Sequence, residues 1–365
     1  MNWTLHPAAA FDTHATDWQR LNVAGPDSPV LHPDFVAPLV KTFAGPRTRL
    51  AVGTGGHAPR AMLLLVRTGA MGWSTFQPSQ APIGLTVADP TLQRRGLWQE
   101  LLRVLPGAPL TLSITQQDPE FSPRPSDSGT LRTLDYIDTA RIVVDGSFDA
   151  YWKSRGRNLR HNIDRQRHRL AREGIRLRLE TLSNCADMTR AIADYGRLES
   201  AGWKAQKGTA ITADNDQGRF YHTMLQNFAA RGEARVDRLF YGDRLVACDL
   251  SLWRKGTLVV LKTTYDQTQT TSSPALQMRY LVFQEVFAHP EARVIEFYGR
   301  VMDWHLKLSD DIRTLYHVTC ARWPVLWSIR SLLRGPGRAR RPAVSAHGRK
   351  GVGQCAGEPS PLTGR

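Results

Sequence analysis

A helix that links two strands, after a run of three antiparallel strands, is the feature that most constrains this fold. The strand-like runs are separated by the tight-turn pairs Gly242-Asp243 and Lys255-Gly256. A helix then begins at Thr271-Ser272-Ser273-Pro274, with proline at its first position, and one more strand follows. The predicted strands are Ala234–Tyr241, Leu245–Trp253, Thr257–Tyr265 and Val294–Tyr298.

The two strands joined by this helix can separate at one end, because the helix occupies the connection between them. Separated strands expose backbone N–H groups that have no ladder partner, and the helix presents its own N-terminus at the same place. Such donors together bind phosphate groups. The order of the elements therefore predicts a site for a pyrophosphate and a pantetheine arm.

The chain as a whole indicates an α/β protein with a mixed sheet and two domains. Residues 1–140 contain short helical and strand-like runs, including the strand Ala61–Val66. Residues 141–330 contain clearer helices. One ends at Gly174, and another shows the i, i+3, i+4, i+7 spacing at Tyr221, Met224, Leu225 and Phe228. Residues 331–365 are rich in Gly, Pro, Ser and Arg, which predicts a basic, disordered tail.

Six short motifs in the second half share their order and spacing with one family. They are Tyr151-Trp152-Lys153-Ser154 with Arg157-Asn158-Leu159-Arg160, Glu199 with Trp203-Lys204, Leu245-Val246-Ala247, Lys262-Thr263-Thr264-Tyr265-Asp266, Ser272-Ser273-Pro274, and Tyr298-Gly299 with Lys307. The chain thereby resembles the GNAT superfamily of acyltransferases. More narrowly, it resembles the CelD-like (cellulose-biosynthesis-type) acetyltransferases, which are related to the Fem-type peptidoglycan aminoacyltransferases.

The resemblance implies two GNAT-like domains, each a mostly antiparallel sheet flanked by helices. It implies transfer of an acyl group from acetyl-CoA or another acyl-CoA, without a metal. The acceptor would be an amine or hydroxyl of a small molecule or polysaccharide precursor, with N-acetylation as the main expectation. Transfer from aminoacyl-tRNA, as in Fem-type enzymes, stays open. So does a non-catalytic GNAT-fold protein that binds an anionic polymer.

The candidate cofactor-binding residues lie around the start of the connecting helix. The sequence has Ser273-Pro274-Ala275 where this family often has Ser-Pro-Gly, and glycine permits a closer backbone approach to phosphate. Alanine also permits it if its backbone is helical. Alternatively, Thr271 and Ser272 only cap the helix. The predicted set is Lys262, Thr271, Ser272, Ser273 and Ala275.

Three residues are candidates for the chemical step. Glu199 is a candidate general base, or a residue that positions the acceptor amine; alternatively it pairs with Lys204 or an arginine. Asp266 lies four residues after Lys262, roughly 13 Å along an extended strand, and either holds the acceptor, orients that lysine, or is solvated at the strand end. By resemblance, Tyr298 protonates the leaving thiolate; packing in the core is its alternative role.

Residues 153–178 form a strongly basic segment, with ten Lys or Arg and two acidic residues. It is either a solvated helix or a surface for a nucleotide phosphate, an anionic glycan or tRNA. The resemblance places Arg157 and Arg160 near the acceptor or cofactor groove. It also suggests three further substrate-binding residues, Trp203, Lys204 and Lys307.

The net charge and the cysteines limit the kind of partner and the cellular compartment that we expect. The formal net charge of +15 predicts an anionic partner. The 4 cysteines show no C-x-x-C spacing, which argues against a disulfide framework and a zinc ribbon and favours the reducing cytoplasm. No signal peptide, transmembrane run or metal-ligand spacing is visible, so we expect neither a membrane span nor a metal.

Overall fold

The described part of the chain is organised around one mixed β-sheet. The computed structural model describes residues 1–201, 211–212 and 214–328, and within them thirteen strands join this sheet. The strands are β1 (Asn2–Pro7), β2 (Thr48–Gly55), β3 (Ala58–Thr68), β4 (Gly72–Thr75), β5 (Thr86–Ala88), β6 (Thr111–Gln117), β7 (Leu131–Val143), β8 (Leu177–Leu182), β9 (Ala234–Tyr241), β10 (Arg244–Arg254), β11 (Thr257–Tyr265), β12 (Val294–Glu296) and β13 (Asp311–Ala321).

Helices flank the sheet on both faces. They are α1 (Ala15–Ala24), α2 (Pro33–Phe43), α3 (Arg94–Val104), α4 (Phe148–Ser154), α5 (Arg157–Arg172), α6 (Met188–Ser200), α7 (Asp216–Ala229), α8 (Pro274–Ala288) and α9 (Asp303–Leu308). In the described part of the chain, three short 3₁₀ turns lie at Ala8–His14, Pro29–Leu31 and Cys185–Asp187. Together with the sheet they confirm the predicted mixed α/β class.

The strand order is β1-β2-β3-β4-β6-β13-β7-β12-β11-β10-β9-β8, with β5 paired to β3. Among the described strands only two pairs are parallel, β4 with β6 and β11 with β12, each over three residues. A helix lies between the members of each pair in the sequence, α3 in the first half and α8 in the second. The same strand–helix–strand arrangement therefore occurs twice.

The two halves share the sheet rather than forming separate ones. β13 comes late in the chain, yet it lies between β6 and β7 and pairs with both. β7 extends past residue 140, where the first predicted domain ends. The limits of the two domains remain a prediction, and the tail from residue 331 lies outside the described residues.

The two faces of the second half are covered by different helices. Cys248, Leu250 and Leu252 of β10 pack into a core with α2, α6 and α7. Ala247 of the same strand packs into another core with α5 and α8. Because neighbouring strand residues point to opposite faces, α6 and α7 cover one face of the sheet and α8 covers the other.

Most predicted elements of the second half are present, with one correction. β9, β10, β11 and the proline start of α8 match the predicted bounds closely. Lys255 and Gly256 form the β10–β11 turn with φ of +46° and +78°. The strand predicted to reach Tyr298 ends at Glu296, because Tyr298 has a left-handed backbone with φ of +49°.

Candidate active site

β11 has an open edge over its second half. It pairs with β12 only from Thr257 to Val259, while the strand itself continues to Tyr265. A bulge at Leu261 shifts its register against β10, since Leu250 faces Lys262 and Ser251 faces Val260. The backbone beyond Val259 therefore lacks a ladder partner from β12, as the order of elements predicted.

The loop from this strand to α8 is ordered by Asp266. Its Oδ1 accepts hydrogen bonds from the backbone N–H and the hydroxyl of Thr268 at 3.0 and 2.7 Å. Arg244 lies 2.6 Å from Oδ2. Burial acts to raise the pKa of Asp266, but the Thr268 bonds and the Arg244 charge outweigh it, and the net pKa lies below the usual range. These contacts indicate that Asp266 shapes the loop. Its catalytic role stays a prediction.

The start of α8 is held by side chains of α5 rather than by its own cap. Ser273 makes no side-chain capping bond; its N–H donates to Gln166 Oε1 at 3.1 Å. Gln277 Nε2 donates to the same oxygen at 3.0 Å. Arg169 donates to the carbonyl of Thr271. Ala275 lies within α8 and so has a helical backbone. In this conformation alanine leaves the first-turn N–H groups accessible.

A cavity of about 390 Å³ opens between α5, the start of α8 and α9. Asn158, Asn162 and Gln166 lie one turn apart on α5 and form a row of amides along it. Ser273 borders one end, and Lys307 lines the cavity from α9. Ser273 and Lys307 were both predicted site residues, in the cofactor-binding and the substrate-binding set, and the structure places both at this cavity. The amide row was missed, although its i, i+4, i+8 spacing was the available signal.

Cations flank this cavity. Arg155 pairs with Asp310 at 2.7 Å, and both border it. Arg160 Nε donates to the carbonyl of Arg155 at 3.1 Å, and exposed Arg157 donates to His161 at 3.1 Å. Both predicted arginines thus lie on the first turn of α5 beside the cavity. Their side-chain hydrogen bonds go to neighbouring residues, Arg155 and His161.

A buried polar cluster joins α8 to the open edge of β11. Arg279 Nη2 donates to Thr263 Oγ1 at 2.9 Å, and Nη1 lies 3.7 Å from Asp249. The guanidinium lies 4.3 Å from the centre of the Trp304 ring in α9. Burial raises the pKa of Asp249, which Arg279 partly offsets. Sequence reasoning considered only the apolar side chains of this helix and therefore missed Arg279.

Glu199 and Lys262 lie in the same region, on the face of the sheet that α6 and α7 cover, opposite to the face of α8 and the cavity. Glu199 is 3% exposed; Ile211 N–H donates to its Oε2 at 2.8 Å and the Tyr195 hydroxyl to its Oε1 at 3.5 Å. Lys262 Nζ lies 5.8 Å from the centre of the Tyr221 ring. Burial, and then the charge of Glu199, raises the pKa of Tyr221. Tyr221 therefore lies close to both predicted residues.

Tyr298 is buried at the junction of the two halves. The Arg313 guanidinium lies 5.5 Å from its ring centre, and burial raises the pKa of its hydroxyl. Arg313 also binds Asp118 at 2.7 Å and Glu296 at 2.9 Å. Burial raises the pKa of Glu296 to about 7, despite the opposing charge of Arg313. Glu296 was not predicted, although a carboxylate within an apolar strand was a visible signal.

Trp203 and Lys204 lie outside the described residues. Within the ranges that the structure describes, no three His, Cys, Asp or Glu side chains are grouped as they would be to hold a metal. In the same ranges no helix is long and apolar enough to cross a membrane.

Comparison with known proteins defines the class of this fold. Residues 157–306 match the family model of the acetyltransferase (GNAT) domain. This segment includes the open edge of β11, the loop and α8. Residues 157–306 therefore carry a GNAT-type acetyltransferase domain, which comprises α5 to α8 and β8 to β12.

Two solved structures share most of this architecture. FemX matches with a TM-score of 0.54 and 10% identity, over 92% of this chain and 100% of that chain. The C-terminal domain of an Agrobacterium fabrum protein named as a lysylphosphatidylglycerol synthetase matches with a TM-score of 0.51 and 14% identity, over 87% and 96% of the two chains. At such identities the similarity concerns the fold alone. No curated protein matches the sequence.

Proposed function

We propose that the protein transfers an acyl group from acetyl-CoA or another acyl-CoA to an amine or hydroxyl of a small molecule or a polysaccharide precursor. The observation that carries the proposal is the cavity beside the start of α8, the helix that follows the strand with the open edge. Phosphate groups bind at helix N-termini, and unpaired N–H groups bind a carbonyl oxygen that gains charge. The CelD-like subfamily and a cytoplasmic location belong to the same proposal; Cys185, Cys248 and Cys320 are free thiols, which fits a reducing compartment.

The residues fit an acyl-CoA in this position. Ser273 and Ala275, with Thr271 and Ser272 before them, would face the phosphates, and Lys307 adds a positive charge inside the cavity. The amides of Asn158 and Asn162 offer donors and acceptors to the amide groups of a pantetheine arm. Arg157 and Arg160 add positive charge at its rim.

On the opposite face of the sheet, Glu199 would act on the acceptor. Lys262, which was predicted in the cofactor-binding set, lies beside Tyr221 on this same face, so we propose that it contacts the acceptor instead. An acceptor ammonium must lose a proton before its nitrogen attacks the thioester carbonyl, and Glu199 is our candidate to receive or relay that proton. Tyr298 remains the candidate donor to the leaving thiolate, and Asp266 the candidate that holds the loop or the acceptor. In this proposal Trp203 and Lys204 contact the acceptor.

Calorimetry with CoA and acetyl-CoA tests the donor half of the proposal. The variant Ser273→Asp places a negative charge beside the phosphates, so we expect binding to weaken by about tenfold or more. Ser273→Ala keeps the backbone N–H and adds no charge, and the hydroxyl it removes accepts a weak 3.4 Å hydrogen bond from Gln166 Nε2, so this variant should bind like the wild type. Asn215→Asp, which adds the same charge at the N-cap of α7 on the other face, is the matched control.

A second candidate function is favoured by one observation, the GNAT fold shared with FemX over the whole of that chain. In this alternative the donor is an aminoacyl-tRNA, and the basic surface of α5 contacts it. Lack of CoA binding by the wild type, together with transfer from a charged tRNA, would support it. Binding of neither donor would leave a non-catalytic protein that binds an anionic polymer.

A further inference from the structure

β8 ends the sheet beyond β9 and leaves one edge open. Among the described residues it pairs with β9 alone, over Leu177–Leu182. The N–H of Gly242 donates to the carbonyl of Arg176 at 2.9 Å. In an antiparallel ladder every second residue bonds to the neighbouring strand. Arg178 and Glu180 therefore bond towards β9, while the backbone groups of Leu177, Leu179 and Thr181 point away from it.

A groove of about 660 Å³ begins where this edge meets α5. Its apolar part is formed by Ala171, Ile175 and Leu177. Its polar part is formed by His168 and by the charged side chains of Arg167, Arg176 and Asp164. The groove therefore combines an unpaired strand edge, a narrow apolar surface and an excess of positive charge.

Several cations around the groove have no ion-pair partner within the described ranges. Arg169 pairs with Glu173, and Arg178 pairs with Glu180. By contrast, exposed Arg172 and Arg176 have no carboxylate within 4.0 Å among the residues that the structure describes. Arg167 lies over the Tyr280 ring, 4.6 Å from its centre. This charge is available to a partner.

We propose that the groove, defined by β8 and residues 164–177, binds an extended acidic segment of another protein by adding it as a strand to β8. The outward N–H and C=O groups of Leu177, Leu179 and Thr181 would pair with the backbone of the segment. Its carboxylates would pair with Arg172 and Arg176. The function of this surface is independent of the acyl transfer proposed above.

Charge and hydrogen bonding favour this occupant over two others. A nucleic acid backbone supplies anionic acceptors but no regular series of donors, so it leaves the outward carbonyls of β8 unpaired. A second copy of this chain brings the same arginines to the groove, and like charges placed opposite one another destabilise a strand pair. An acidic polypeptide satisfies both the carbonyls and the arginines.

Fluorescence anisotropy with short labelled peptides tests the proposal on the full chain. The probe is an eight-residue peptide of alternating glutamate and valine. A glutamate–proline peptide of equal charge lacks half of the backbone donors, and its prolines fix φ at about −65°, away from the extended strand conformation. We expect it to bind at least about tenfold more weakly. The double variant Arg172→Glu/Arg176→Glu should lose binding by a similar factor. Arg47→Glu/Arg103→Glu, at two exposed arginines of the first half, is the matched control.

Hydrogen exchange at backbone amides adds a measurement that a purely electrostatic contact would leave unchanged. On addition of the glutamate–valine peptide, the amides of Leu177, Leu179 and Thr181 should become protected, while those of Arg178 and Glu180 should already be slow. Equal binding of the two peptides, or unchanged exchange at these three amides, would overturn the proposal. So would tighter binding of an oligothymidylate of equal charge, or a dimer that the Arg172→Glu/Arg176→Glu variant abolishes.

Discussion

His317 on β13 is a partly buried histidine that the fold keeps neutral. Its Nδ1 accepts the N–H of Gln116 at 2.9 Å, and its ring lies 4.7 Å from that of Tyr136. Burial lowers its pKa to about 4. Since the unfolded value is about 6.5, the stability that the neutral ring contributes is fully present above pH 6.5. It is lost as the pH falls through about 4.

The variant His317→Asn should flatten the dependence of stability on pH. Asparagine keeps an acceptor for Gln116 but does not take up a proton on unfolding. The slope of the unfolding free energy should therefore fall by at most about 1.4 kcal/mol per pH unit between pH 6.5 and 4. Urea unfolding at several pH values measures it. His57→Asn, at an exposed turn, should keep the wild-type slope.

At the scale of elements, the loop between β11 and α8 depends on one carboxylate. Asp266 accepts two bonds from Thr268 and pairs with Arg244, and its own N–H donates to the carbonyl of Val246 at 2.8 Å. The loop places the start of α8 beside the cavity. A change at Asp266 should therefore affect both stability and ligand binding.

We expect Asp266→Asn to reduce the unfolding free energy by about 1–2 kcal/mol, because the amide replaces one acceptor oxygen and removes the charge that Arg244 meets. If the residue shapes the loop, CoA binding should weaken while the pH profile of turnover stays unchanged. Asp243→Asn, in the exposed β9–β10 turn, is the control. A shifted pH profile would instead assign Asp266 to the chemical step.

At the scale of the whole molecule, the two halves are joined by β7 and β13 and by the ion pairs across them. Arg313 on β13 is 10% exposed and binds both Asp118 from the first half and Glu296 from the second. On the neighbouring strand, Arg141 binds Glu120 and Asp311 at 3.1 and 2.8 Å, with 21% of its side chain exposed. Replacement of Arg313, the more buried of the two, should therefore reduce the unfolding free energy more than replacement of Arg141.

The variant Arg313→Met leaves two buried carboxylates without their cation. Removal of one partner from a buried pair costs about 3–5 kcal/mol, so we expect a loss of stability of that order. Arg141→Met, whose partners remain in contact with water, should cost about 1 kcal/mol. Calorimetric unfolding measures both. Equal losses in the two variants would show that burial at this junction does not govern its stability.

The sequence alone predicted the elements whose pattern is local. α7 shows helical spacing at Tyr221, Met224, Leu225 and Phe228, and all four side chains are buried in the structure. The turns at Gly242 and Gly256 set the bounds of β9 to β11, since both need positive φ. Pro274 likewise marks the start of α8. These signals act over a few residues, so neither distant partners nor packing is needed to interpret them.

Only the tertiary structure decided how distant segments meet. β7 and β13 were not predicted as strands, because polar residues such as Asp135 and Arg313 interrupt their apolar pattern. Their pairing partners lie about 170–190 residues apart in the chain, as between Arg141 and Asp311. Burial of Glu296 beside Arg313, the position of Lys262 against Tyr221, and the meeting of Lys307 with Ser273 at one cavity all depend on such long-range contacts. A local pattern records which residues prefer a strand or a helix, but the partner of each face is selected only when the whole core is packed.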